Sequence, residues 1–462
     1  MSHTLRNASS VLALALVTAL ASGPAAAAAP PDPGTWAQFA RTAIHPNTAP
    51  AETAFTPANV SGLAVSWKAR FGQFASGQGG AAVAGGRVYI GGSDGVLSVF
   101  SLPGCAAGSC VRRWRGITGN GIYGTPAVTG RLVLVGSADH FLYAFPARGC
   151  GKAVCKPIWR GRLHDAALAS VAVADGVAYL GDFGGRIYAF SVNGCGAQVC
   201  APIWTGRAGP NLEFNTIPAV GHGHVYIGAL LNTPDDASGR LFAFRVGGCG
   251  DPVCRPQWSA DLLGQSDGTL SPLVSGSTVF MGSGTRFSDF PNGTRHLFAF
   301  AAGGCGKQVC QPLRSYETGD SDLTGGLALS GGLLYAGSQS TPDPNTVGVF
   351  TAFAAAGCGA SVCGPLWTAV NFASGFESPP VVAGGVVFVA KGPASGFPVD
   401  EAVLSYPASG CGARICLPLS FTSVGDQQFY LGAPIAIAAH TLLVPTESSV
   451  DGTDDLVALQ VH

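Results

Sequence analysis

The stretch Gly149-Cys150-Gly151-Lys152-Ala153-Val154-Cys155-Lys156-Pro157-Ile158-Trp159 decides the fold, because similar stretches recur along most of the chain. Each copy carries two cysteines separated by four residues, and successive pairs start 45, 45, 54, 56, 53 and 53 residues apart. A phrase that returns at this period indicates one supersecondary unit copied many times. The seven pairs use every cysteine of the chain: Cys105/Cys110, Cys150/Cys155, Cys195/Cys200, Cys249/Cys254, Cys305/Cys310, Cys358/Cys363 and Cys411/Cys416.

Short apolar runs surround each cysteine pair. The run just before a pair has the form Leu142-Tyr143-Ala144-Phe145, and further upstream come runs such as Val88-Tyr89-Ile90-Gly91 and Pro126-Ala127-Val128. Turns such as Gly92-Ser93-Asp94-Gly95 separate the runs, and the Pro-x-Trp run after the pair makes a fourth. Such runs between Gly, Asp and Ser are typical of β-strands. The unit is therefore four antiparallel strands, A to D, which is the blade of a β-propeller.

The number of blades follows from the third run. It occurs eight times, and the last copy, Leu456-Val457-Ala458-Leu459, has neither a cysteine pair nor a fourth strand after it. The missing strand stands near the start of the chain, where Leu63-Ala64-Val65-Ser66-Trp67 ends in the tryptophan typical of strand D. Pairing of the two chain ends would close the ring without an open edge. The sequence predicts an all-β fold, an eight-bladed propeller of four-stranded antiparallel blades closed by the N-terminal strand.

Composition limits the range of partners. Charged residues make up 11% of the chain, against roughly 25% in ordinary domains, and the formal net charge is −1 without a run of Lys or Arg. A chain of this kind offers no electrostatic footprint for nucleic acid or for an anionic membrane. We therefore expect no nucleic-acid partner and no membrane insertion.

The N-terminal region is predicted to direct export. Residues 1–29 have an apolar core from Val11 to Ala21, too short to span a bilayer, and small residues for cleavage at Ala25 to Ala29. No cysteine lies near the cleavage region, so lipid attachment there is excluded. Residues 30–62 form an extended segment that either wraps a blade or hangs loose, and residues 63–462 form the propeller. We expect a secreted or extracytoplasmic monomer.

One family shares these features. The segment Trp36-Ala37-Gln38-Phe39, followed by His45, Glu52 and Thr56-Pro57-Ala58-Asn59-Val60-Ser61-Gly62-Leu63, resembles the start of quinoprotein-type (PQQ-repeat) β-propellers. The Gly-Ser-x-Asp-Gly turn and the Leu-Tyr-Ala-Phe strand resemble the repeat of that family too. The resemblance covers residues 36–462 and implies the propeller fold, in a family that holds quinone-dependent dehydrogenases and many propellers without cofactor.

The chain departs from the enzymes of that family. It has no pair of adjacent cysteines, which those dehydrogenases typically carry over the quinone, and no Cys-x-x-Cys-His for haem. The regular Gly-Cys-Gly-x-x-x-Cys-x-Pro insertion instead looks like a variant found in secreted bacterial propellers. The resemblance thus favours a protein without catalytic activity.

The cysteines have two interpretations. A structural zinc needs four ligands, so two pairs would have to meet, although one pair per blade holds the pairs apart around the ring. The other interpretation is a disulfide within each hairpin between strands C and D. Closing a loop of this length contributes on the order of 2 kcal/mol in the chain-entropy model. We predict seven disulfides inside the blades and no metal.

Three local motifs resemble functional sites. Gly91-Gly92-Ser93-Asp94-Gly95 matches the Gly-x-Ser-x-Gly pattern of hydrolases, but a strand follows it where that chemistry needs a helix, so a β-turn is predicted. His222-Gly223-His224 offers two imidazoles to a metal, yet it stands where other repeats have the Gly-Gly turn between strands A and B. Residues 451–455 are rich in the oxygen ligands that calcium prefers, but they lack the full loop pattern and also suit a solvated turn.

The better functional lead is an asymmetry between blades. Blades 4 to 8 carry extra residues between strands B and C, at 230–239, 284–295, 339–348, 392–401 and 447–455. In an up-and-down blade these loops share a face with the links from strand D to the next strand A, opposite the cysteine hairpins. Long loops on a rigid scaffold are where binding usually resides.

Polar and aromatic residues near these loops are the candidate ligand-binding residues. Phe287, Phe290 and Phe397 lie within or beside the long loops, where they either anchor a ligand or pack the loops onto the blades. The alternative for the polar residues is an ordinary solvated turn. Those that precede the inner strands, and are placed to ring the channel mouth, are Gln78, Tyr123, Asn215, Asp267, Asp322 and Glu377.

Two function classes follow. The first is a secreted binding or scaffold propeller without catalytic residues or cofactor, whose long-loop face takes a protein, a glycan or a small molecule. The second is a dehydrogenase dependent on PQQ and calcium, for which Asn215, Asp267, Asp322 and Glu377 supply suitable atoms for calcium and for a base. A hydrolytic or lyase activity is a third possibility. The sequence favours the first class.

Overall fold

The computed structural model describes residues 35–73, 79–102, 110–231, 239–262, 270–282, 296–318, 321–340, 347–372, 376, 378–391, 402–424, 427–429, 433–448 and 453–462. These residues form eight sheets of four or five strands, and each sheet is one blade. The one helical element within them is the 3-10 turn Val60–Gly62. None of the described residues forms a helix that is long and apolar enough to cross a membrane. The prediction of an all-β, eight-bladed propeller is confirmed.

Strands A and B form the inner half of each blade. Strand A of blades 1 to 8 comprises Ala82–Ala84, Ala127–Thr129, Ala172–Ala174, Ala219–Gly221, Leu273–Ser275, Ser321–Ser330, Val381–Ala383 and Ala436–Ala438. Strand B comprises Arg87–Gly91, Leu132–Ser137, Val177–Gly181, His224–Leu231, Thr278–Gly282, Leu333–Ser340, Val386–Lys391 and Thr441–Ser448.

Strands C and D form the outer half. Strand C comprises Val96–Ser101, Phe141–Pro146, Arg186–Ser191, Gly239–Arg245, His296–Ala301, Val347–Ala354, Ala402–Pro407 and Thr453–Val461. Strand D comprises Trp114–Ile117, Trp159–Arg162, Trp204–Arg207, Trp258–Leu262, Arg314–Glu317, Trp367–Phe372, Ser420–Ser423 and, for blade 8, Leu63–Gln73. Shorter strands add to these sheets: Thr48–Ala49, Val154–Cys155, Val199–Cys200, Leu212–Glu213, Val253–Cys254, Val362–Cys363 and Gln427–Phe429.

The core lies between blades rather than under one sheet. Leu142, Tyr143, Ala144 and Phe145 of strand C in blade 2 are all buried, although their side chains alternate between the two faces of the sheet. Both faces are buried because each sheet packs between two neighbouring blades. The strand is therefore apolar at every position rather than at every second one. This pattern explains why the chain has a high content of hydrophobic residues and a low content of charged ones.

The ring closes as predicted. Leu63–Gln73 pairs antiparallel with Thr453–Val461, so the N-terminal strand is the outer strand of blade 8. Trp67 is buried, with 5% of its surface exposed, in the cluster that joins blade 8 to its neighbours. The two ends of the chain therefore share one sheet, and the edge strand that an open ring would expose is paired.

Disulfides close the hairpins between strands C and D. Six bonds join the two cysteines of one hairpin, and they are Cys150–Cys155, Cys195–Cys200, Cys249–Cys254, Cys305–Cys310, Cys358–Cys363 and Cys411–Cys416. Cys110 is disulfide-bonded as well, while Cys105 lies outside the described residues. No cysteine in the described part of the chain is free.

The two cysteines of a hairpin differ in burial, which the sequence did not predict. Cys310 is buried, whereas its partner Cys305 is exposed. The Cys310 N–H donates to the carbonyl of Ser259 in strand D of the preceding blade at 2.8 Å, so the second cysteine lies inside the junction between two blades. The same position is buried in the other five bonded hairpins, at Cys155, Cys200, Cys254, Cys363 and Cys416. Each of these disulfides therefore joins an exposed cysteine to a buried one and does not lie on the surface alone.

Each hairpin also reaches the preceding blade, a second feature that the sequence did not predict. Val154–Cys155 of blade 2 pairs in parallel with Arg115 and Gly116 in strand D of blade 1, and the Arg115 N–H donates to the Ala153 carbonyl at 2.9 Å. Val199–Cys200, Val253–Cys254 and Val362–Cys363 pair with the preceding blade in the same way. Single bridges join Val309 to Ser259 and Ile415 to Thr368. The cysteine hairpin is therefore a clasp between neighbouring blades.

The tryptophan of strand D explains the glycine before each cysteine pair. A Cβ atom on Gly149 would lie 2.8 Å from the Trp114 ring, and Gly194 approaches Trp159 at the same distance. Both glycines also have positive φ, where side chains are strained. The Trp159 indole N–H donates to the Val192 carbonyl of the next blade at 3.2 Å. The repeated Gly-Cys and Trp therefore form one contact across the junction between two blades.

Candidate binding face

Turns and links sort onto two faces as predicted. The Thr118 N–H, in the link after strand D of blade 1, donates to the Gly95 carbonyl in the turn between strands B and C at 2.9 Å. At the opposite end, the Leu102 N–H after strand C donates to the Gly86 carbonyl in the turn between strands A and B at 2.9 Å. We call the first end the loop face and the second, which carries the cysteine hairpins, the disulfide face.

The loop face is higher at blades 4, 6 and 8 than at blades 1 to 3. In blades 4, 6 and 8, strand B continues to Leu231, Ser340 and Ser448, three residues beyond the position at which Gly91 ends strand B of blade 1. Strand C of these blades is correspondingly long. Part of the predicted long loops, at 230–231, 339–340 and 447–448, is therefore strand rather than loop. The extension forms because paired strands satisfy backbone polar groups that a loop would leave to water.

Links from strand D support these extensions. Leu212–Glu213 pairs with Leu230 and Leu231 in blade 4, and Gln427–Phe429 pairs with residues 446–448 in blade 8. In blade 6, strand A itself reaches outward, so that Asp322 pairs with Gln339. We call these paired ends of blades 4, 6 and 8 the raised rim. In blades 4, 6 and 8 it agrees with the predicted difference from blades 1 to 3, whereas the long loops predicted for blades 5 and 7 lie outside the described residues.

The structure places three of the candidate ligand-binding residues. Tyr123 is half-buried in the link to blade 2, where its ring lies against the backbone of Gly121. Asn215 is half-buried in the link to blade 4, two residues after the rim strand Leu212–Glu213. Asp322 belongs to the raised rim. Gln78, Asp267, Phe287, Phe290, Glu377 and Phe397 lie outside the described residues, so a shared site remains a prediction.

Hydrogen bonds fix the loop face of the low blades. Asp182 is fully buried and accepts the N–H of Asp165 at 3.1 Å, the N–H of Arg186 at 2.9 Å and the hydroxyl of Tyr188 at 2.6 Å. Burial, with Asp182 in addition, raises the pKa of Tyr188. The Tyr188 hydroxyl also accepts the His164 N–H at 2.9 Å. This acid therefore holds the turn and is not available as a ligand.

A second set of polar contacts, missed in the sequence, joins the inner strands. The Gly80 N–H donates to the Thr125 hydroxyl at 3.0 Å, and the Thr125 N–H donates to the Ser170 hydroxyl at 2.8 Å. Between blades 4 and 5 the Ile217 N–H donates to the Ser271 hydroxyl at 2.9 Å. Each hydroxyl stands three residues before the middle of strand A, and this repetition was the signal that would have identified it.

The N-terminal segment neither wraps a blade nor hangs loose. Residues 35–52, here called the channel segment, follow the inner strands around the ring in blade order. Trp36 pairs with Val83 of blade 1, and the carbonyls of Ala43, Ile44, Pro46 and Asn47 accept the N–H groups of blades 4 to 7. In blade order, the carbonyl acceptors and their N–H donors are Ala37 with Val128, Ala43 with Val220, Ile44 with Val274, Pro46 with Leu329 and Asn47 with Val382.

Side chains complete this circuit. Gln38 bridges to Val173 of blade 3 through both its amide oxygen, at 2.7 Å, and its amide nitrogen, at 3.1 Å. Glu52 is fully buried and accepts the backbone N–H of His440 in blade 8 at 3.0 Å. Because His440 lies in the turn between strands A and B, the channel segment occupies the disulfide end of the channel. A ligand of the channel would therefore approach from the loop face.

His45 in this segment is a buried, neutral base. Its ring packs edge-on against Phe39, with 5.0 Å between centroids, and its Nδ1 atom lies 2.8 Å from the Pro272 carbonyl. A carbonyl accepts only, so Nδ1 carries the proton. Burial lowers the pKa of His45 to about 4, and the hydrogen bond to Pro272 opposes that change only in part. The residue serves structure rather than proton transfer.

The three motifs that resembled functional sites have structural roles. Gly92 to Gly95 form a tight turn into strand C, which confirms the β-turn prediction. His222-Gly223-His224 forms the turn between strands A and B, with the His224 ring beside Gln257. Asp454 and Asp455 are buried in strand Thr453–Val461, so the expected solvated turn is wrong for these two residues.

The described residues bear only in part on the quinone-calcium alternative. No group of three or more His, Cys, Asp or Glu side chains among them is arranged to hold a metal ion. Of the four proposed calcium ligands, Asn215 alone has a described side chain, and it offers one amide oxygen. Calcium takes six to eight oxygen ligands. The calcium site therefore stays a prediction.

Comparisons with known proteins identify the fold. No protein-family model matches the chain, and no curated protein matches it in sequence. Among solved structures, a europium-containing methanol dehydrogenase superimposes with a TM-score of 0.65 at 11% identity, over 93% of this chain and 98% of its own. A quinohemoprotein alcohol dehydrogenase from Comamonas testosteroni gives 0.61 at 11% identity, over 93% and 80%.

A protein named as a different kind of molecule matches as well. BamB from Moraxella catarrhalis superimposes with a TM-score of 0.55 at 16% identity, over 86% of this chain and 97% of its own. Dehydrogenases and BamB thus share this architecture with the chain. At such identities the likeness shows the propeller fold alone and leaves the chemistry open.

Proposed function

We propose that the protein is an exported propeller without catalytic activity that binds a protein, a glycan or a small molecule at its loop face. The observation that carries this proposal is the raised rim on blades 4, 6 and 8 beside the low, fixed turns of blades 1 to 3. The raised blades offer a wall to a ligand, and the low blades 1 to 3 offer an open approach. Loops on a rigid scaffold are the usual place for such a function.

The channel segment supports the same direction of approach. It fills the disulfide end of the channel with backbone that is hydrogen-bonded to the inner strands, which leaves the loop face as the accessible end. Asn215 and Tyr123, both half-buried in links on this face, are the candidate contacts whose side-chain burial is described, and Asp322 lies in the raised rim. With them we group Gln78, Asp267, Asp322, Glu377, Phe287 and Phe290 as proposed contacts.

Export is proposed on two grounds. The disulfides require an oxidising compartment to form and persist, and residues 1–29 have the composition of a cleaved signal. Mass spectrometry of the mature protein after expression with its own N-terminus tests this point. An N-terminus near residue 30 supports export, and retention of Met1 in the cytoplasm contradicts it.

A matched pair of variants tests the binding face. Purified mature protein is screened against arrayed glycans and secreted proteins, and each ligand is measured again with two variants. In the first, residues 339–348 of blade 6 are replaced by Ser-Asp-Gly, which copies the short turn of blade 1. In the second, Lys152→Ala changes the disulfide face alone. A loop-face ligand should lose at least tenfold in affinity with the first variant and keep its affinity with the second.

The same protein tests the dehydrogenase alternative. PQQ and calcium are added together, and the absorbance spectrum of the protein is recorded after gel filtration. A chromophore that stays with the protein and reduces a dye in the presence of an alcohol would overturn the non-catalytic proposal. Its absence, together with a loop-face ligand, supports a binding module.

A further inference from the structure

A cavity of about 430 Å³ opens on the disulfide face between blades 1 and 2. None of its lining residues belongs to a turn or link of the loop face. Thr35, at the start of the channel segment, forms one part of the cavity wall. The turns at Gly85 and Gly130 form two further parts of that wall. A Cβ atom on either glycine would meet nothing within 4 Å. The volume lies within the range of small-molecule sites, roughly 300–1,000 Å³.

The charge of the cavity is one-sided. Arg87 of blade 1 and Arg148 of blade 2 both line it, and no lining residue is acidic. Within the described residues, neither guanidinium forms an ion pair with a carboxylate. Arg87 donates one hydrogen bond, from Nη1 to the Gly85 carbonyl at 3.1 Å, which leaves most of its five N–H donors for another acceptor. Two cations at one cavity repel each other unless an anion joins them.

Both arginines are departures from the repeat. Arg87 opens strand B, where the other blades have Leu132, Val177, His224, Thr278, Leu333, Val386 and Thr441. Arg148 precedes the Gly-Cys of its hairpin, where the other hairpins have Pro103, Asn193, Gly247, Gly303, Ala356 and Ser409. The other blades therefore fold without a cation at Arg148's position and without an arginine at Arg87's. The two exceptions face the same cavity.

Tyr89 lines the cavity together with these two side chains. It is buried, and its hydroxyl donates to the Ala147 carbonyl at 2.9 Å, which ties strand B of blade 1 to the residue before Arg148. Burial raises the pKa of Tyr89 to about 12, while the charges of Arg87 and Arg148 act in the opposite direction. Both guanidinium groups thus lie close enough to one hydroxyl to act on its ionisation.

We propose that this cavity is an anion-binding site for a small molecule that carries a phosphate or several carboxylates. Arg87 and Arg148 hold its charged oxygens from two sides, since a guanidinium fork matches the geometry of carboxylate and phosphate. The site is separate from the loop face. A negative or positive result for anion binding therefore does not bear on the proposed function.

Isothermal titration calorimetry of the mature protein tests the site with pyrophosphate and with citrate, and glycerol is the neutral probe. We expect one of the two anions to bind and glycerol to give no heat. Whichever anion binds shows whether phosphate or carboxylate is preferred. Arg87→Gln and Arg148→Gln should each weaken that binding about tenfold or more, as expected for a lost hydrogen bond between charged groups.

Arg131→Gln is the matched control. Arg131 is exposed in the turn beside Gly130 and does not line the cavity. Its substitution therefore removes one positive charge close to the cavity but outside it. The affinity of this variant should stay within about twofold of the wild type, since Arg131 does not line the cavity as the equally exposed Arg148 does and solvent screens its charge. Arg148→Lys, which keeps the charge but not the fork, should fall between wild type and Arg148→Gln. Binding of neither anion, or an equal loss in Arg131→Gln, would overturn the proposal.

Discussion

The two faces of the ring differ in how closely their repeats agree. On the disulfide face, the same glycine, cysteine pair and parallel strand recur from blade to blade, and each clasp satisfies backbone groups of the blade before it. On the loop face, the length of strand B changes from blade to blade, and the short turns of blades 1 to 3 contrast with the raised rim of blades 4, 6 and 8. Where every junction meets the same packing problem, the residues repeat. Where they do not repeat, the structure is free to serve a ligand.

Blade 5 shows that the clasp tolerates one change of residue. Arg314 replaces the tryptophan of strand D, and its Nη1 donates to the Ala355 carbonyl at 3.2 Å, just as the Trp159 indole N–H donates to Val192. Gly357 packs against the Arg314 side chain where Gly149 packs against Trp114. A flat cationic group can therefore replace a flat aromatic one, because both supply a planar surface and an N–H donor.

Removing the N-terminal strand should have the largest effect on this arrangement. A chain that starts at residue 74 loses both the channel segment and strand D of blade 8, so the edge of strand Thr453–Val461 is left unpaired. A chain that starts at residue 53 loses the channel segment and keeps the strand. We expect the melting temperature of the first to fall by more than about 10 °C, or the chain not to fold.

Comparison of the two truncations in thermal unfolding separates ring closure from channel filling. The chain from residue 53 should fall between the wild type and the chain from residue 74. If both melt at the same temperature, the closing strand adds nothing beyond the channel segment and our account of closure is wrong.

The next largest effect is a dependence of stability on pH. The pKa of His45 is about 4 in the folded protein, below its ordinary value of 6.5, so the unfolded chain binds more protons in that interval. The free energy of unfolding should therefore fall as the pH drops from about 6.5 to 4, by about 3 kcal/mol from this residue. Urea unfolding at pH 7 and pH 4.5 measures it.

His45→Gln provides the reference for that measurement. Glutamine can donate to the Pro272 carbonyl without titrating, so its loss of stability between the two pH values should be smaller than that of the wild type. Equal losses would mean that other groups cause the pH dependence.

Opening one clasp should cost less. Replacing Cys249 and Cys254 by serine removes one disulfide of blade 4, and the short loop that it closes is worth about 2 kcal/mol in the chain-entropy model. The parallel strand Val253–Cys254 should also loosen from blade 3. Thermal unfolding shows the loss, and hydrogen exchange at Thr205 shows whether the strand has detached. Unchanged exchange there would mean that the disulfide does not hold the clasp.

Much of the fold was predictable because it rests on local patterns. The strands, the disulfides inside each hairpin and closure by Leu63–Gln73 all follow from period, spacing and a count of strands. The channel segment was not predictable, since its contacts are backbone hydrogen bonds that any sequence of this length could make. Four residues other than glycine have positive φ there, Ala40, Arg41, His45 and Asn47. Such residues rarely adopt this conformation, so the sequence does not predict the path of the segment.

The candidate site was predictable only as a face. Loop lengths located the raised rim, because insertions appear directly in the spacing of the cysteine pairs. They did not show that part of the insertions in blades 4, 6 and 8 is paired strand, since that pairing depends on residues before or at the start of strand A of the same blade. Arg87 and Arg148 depart from the repeat in sequence, but the sequence does not show that two residues 61 positions apart line one cavity.

The smallest expected effect concerns the stability of the raised rim. Replacing residues 339–348 by Ser-Asp-Gly keeps Ser338, whose hydroxyl donates to the Val349 carbonyl at 2.8 Å, and keeps the buried pairs from Gly337 inward. Loop-closure entropy changes by only about 0.6 kcal/mol for each doubling of loop length, and the lost pairs lie at the end of the hairpin. The free energy of unfolding should therefore change by less than about 1 kcal/mol, below the cost of the Cys249 and Cys254 variant. Urea unfolding of both proteins side by side makes the comparison. A loss larger than that of the disulfide variant would show that the raised rim is part of the framework, and the separation between a stabilising face and a binding face would then fail.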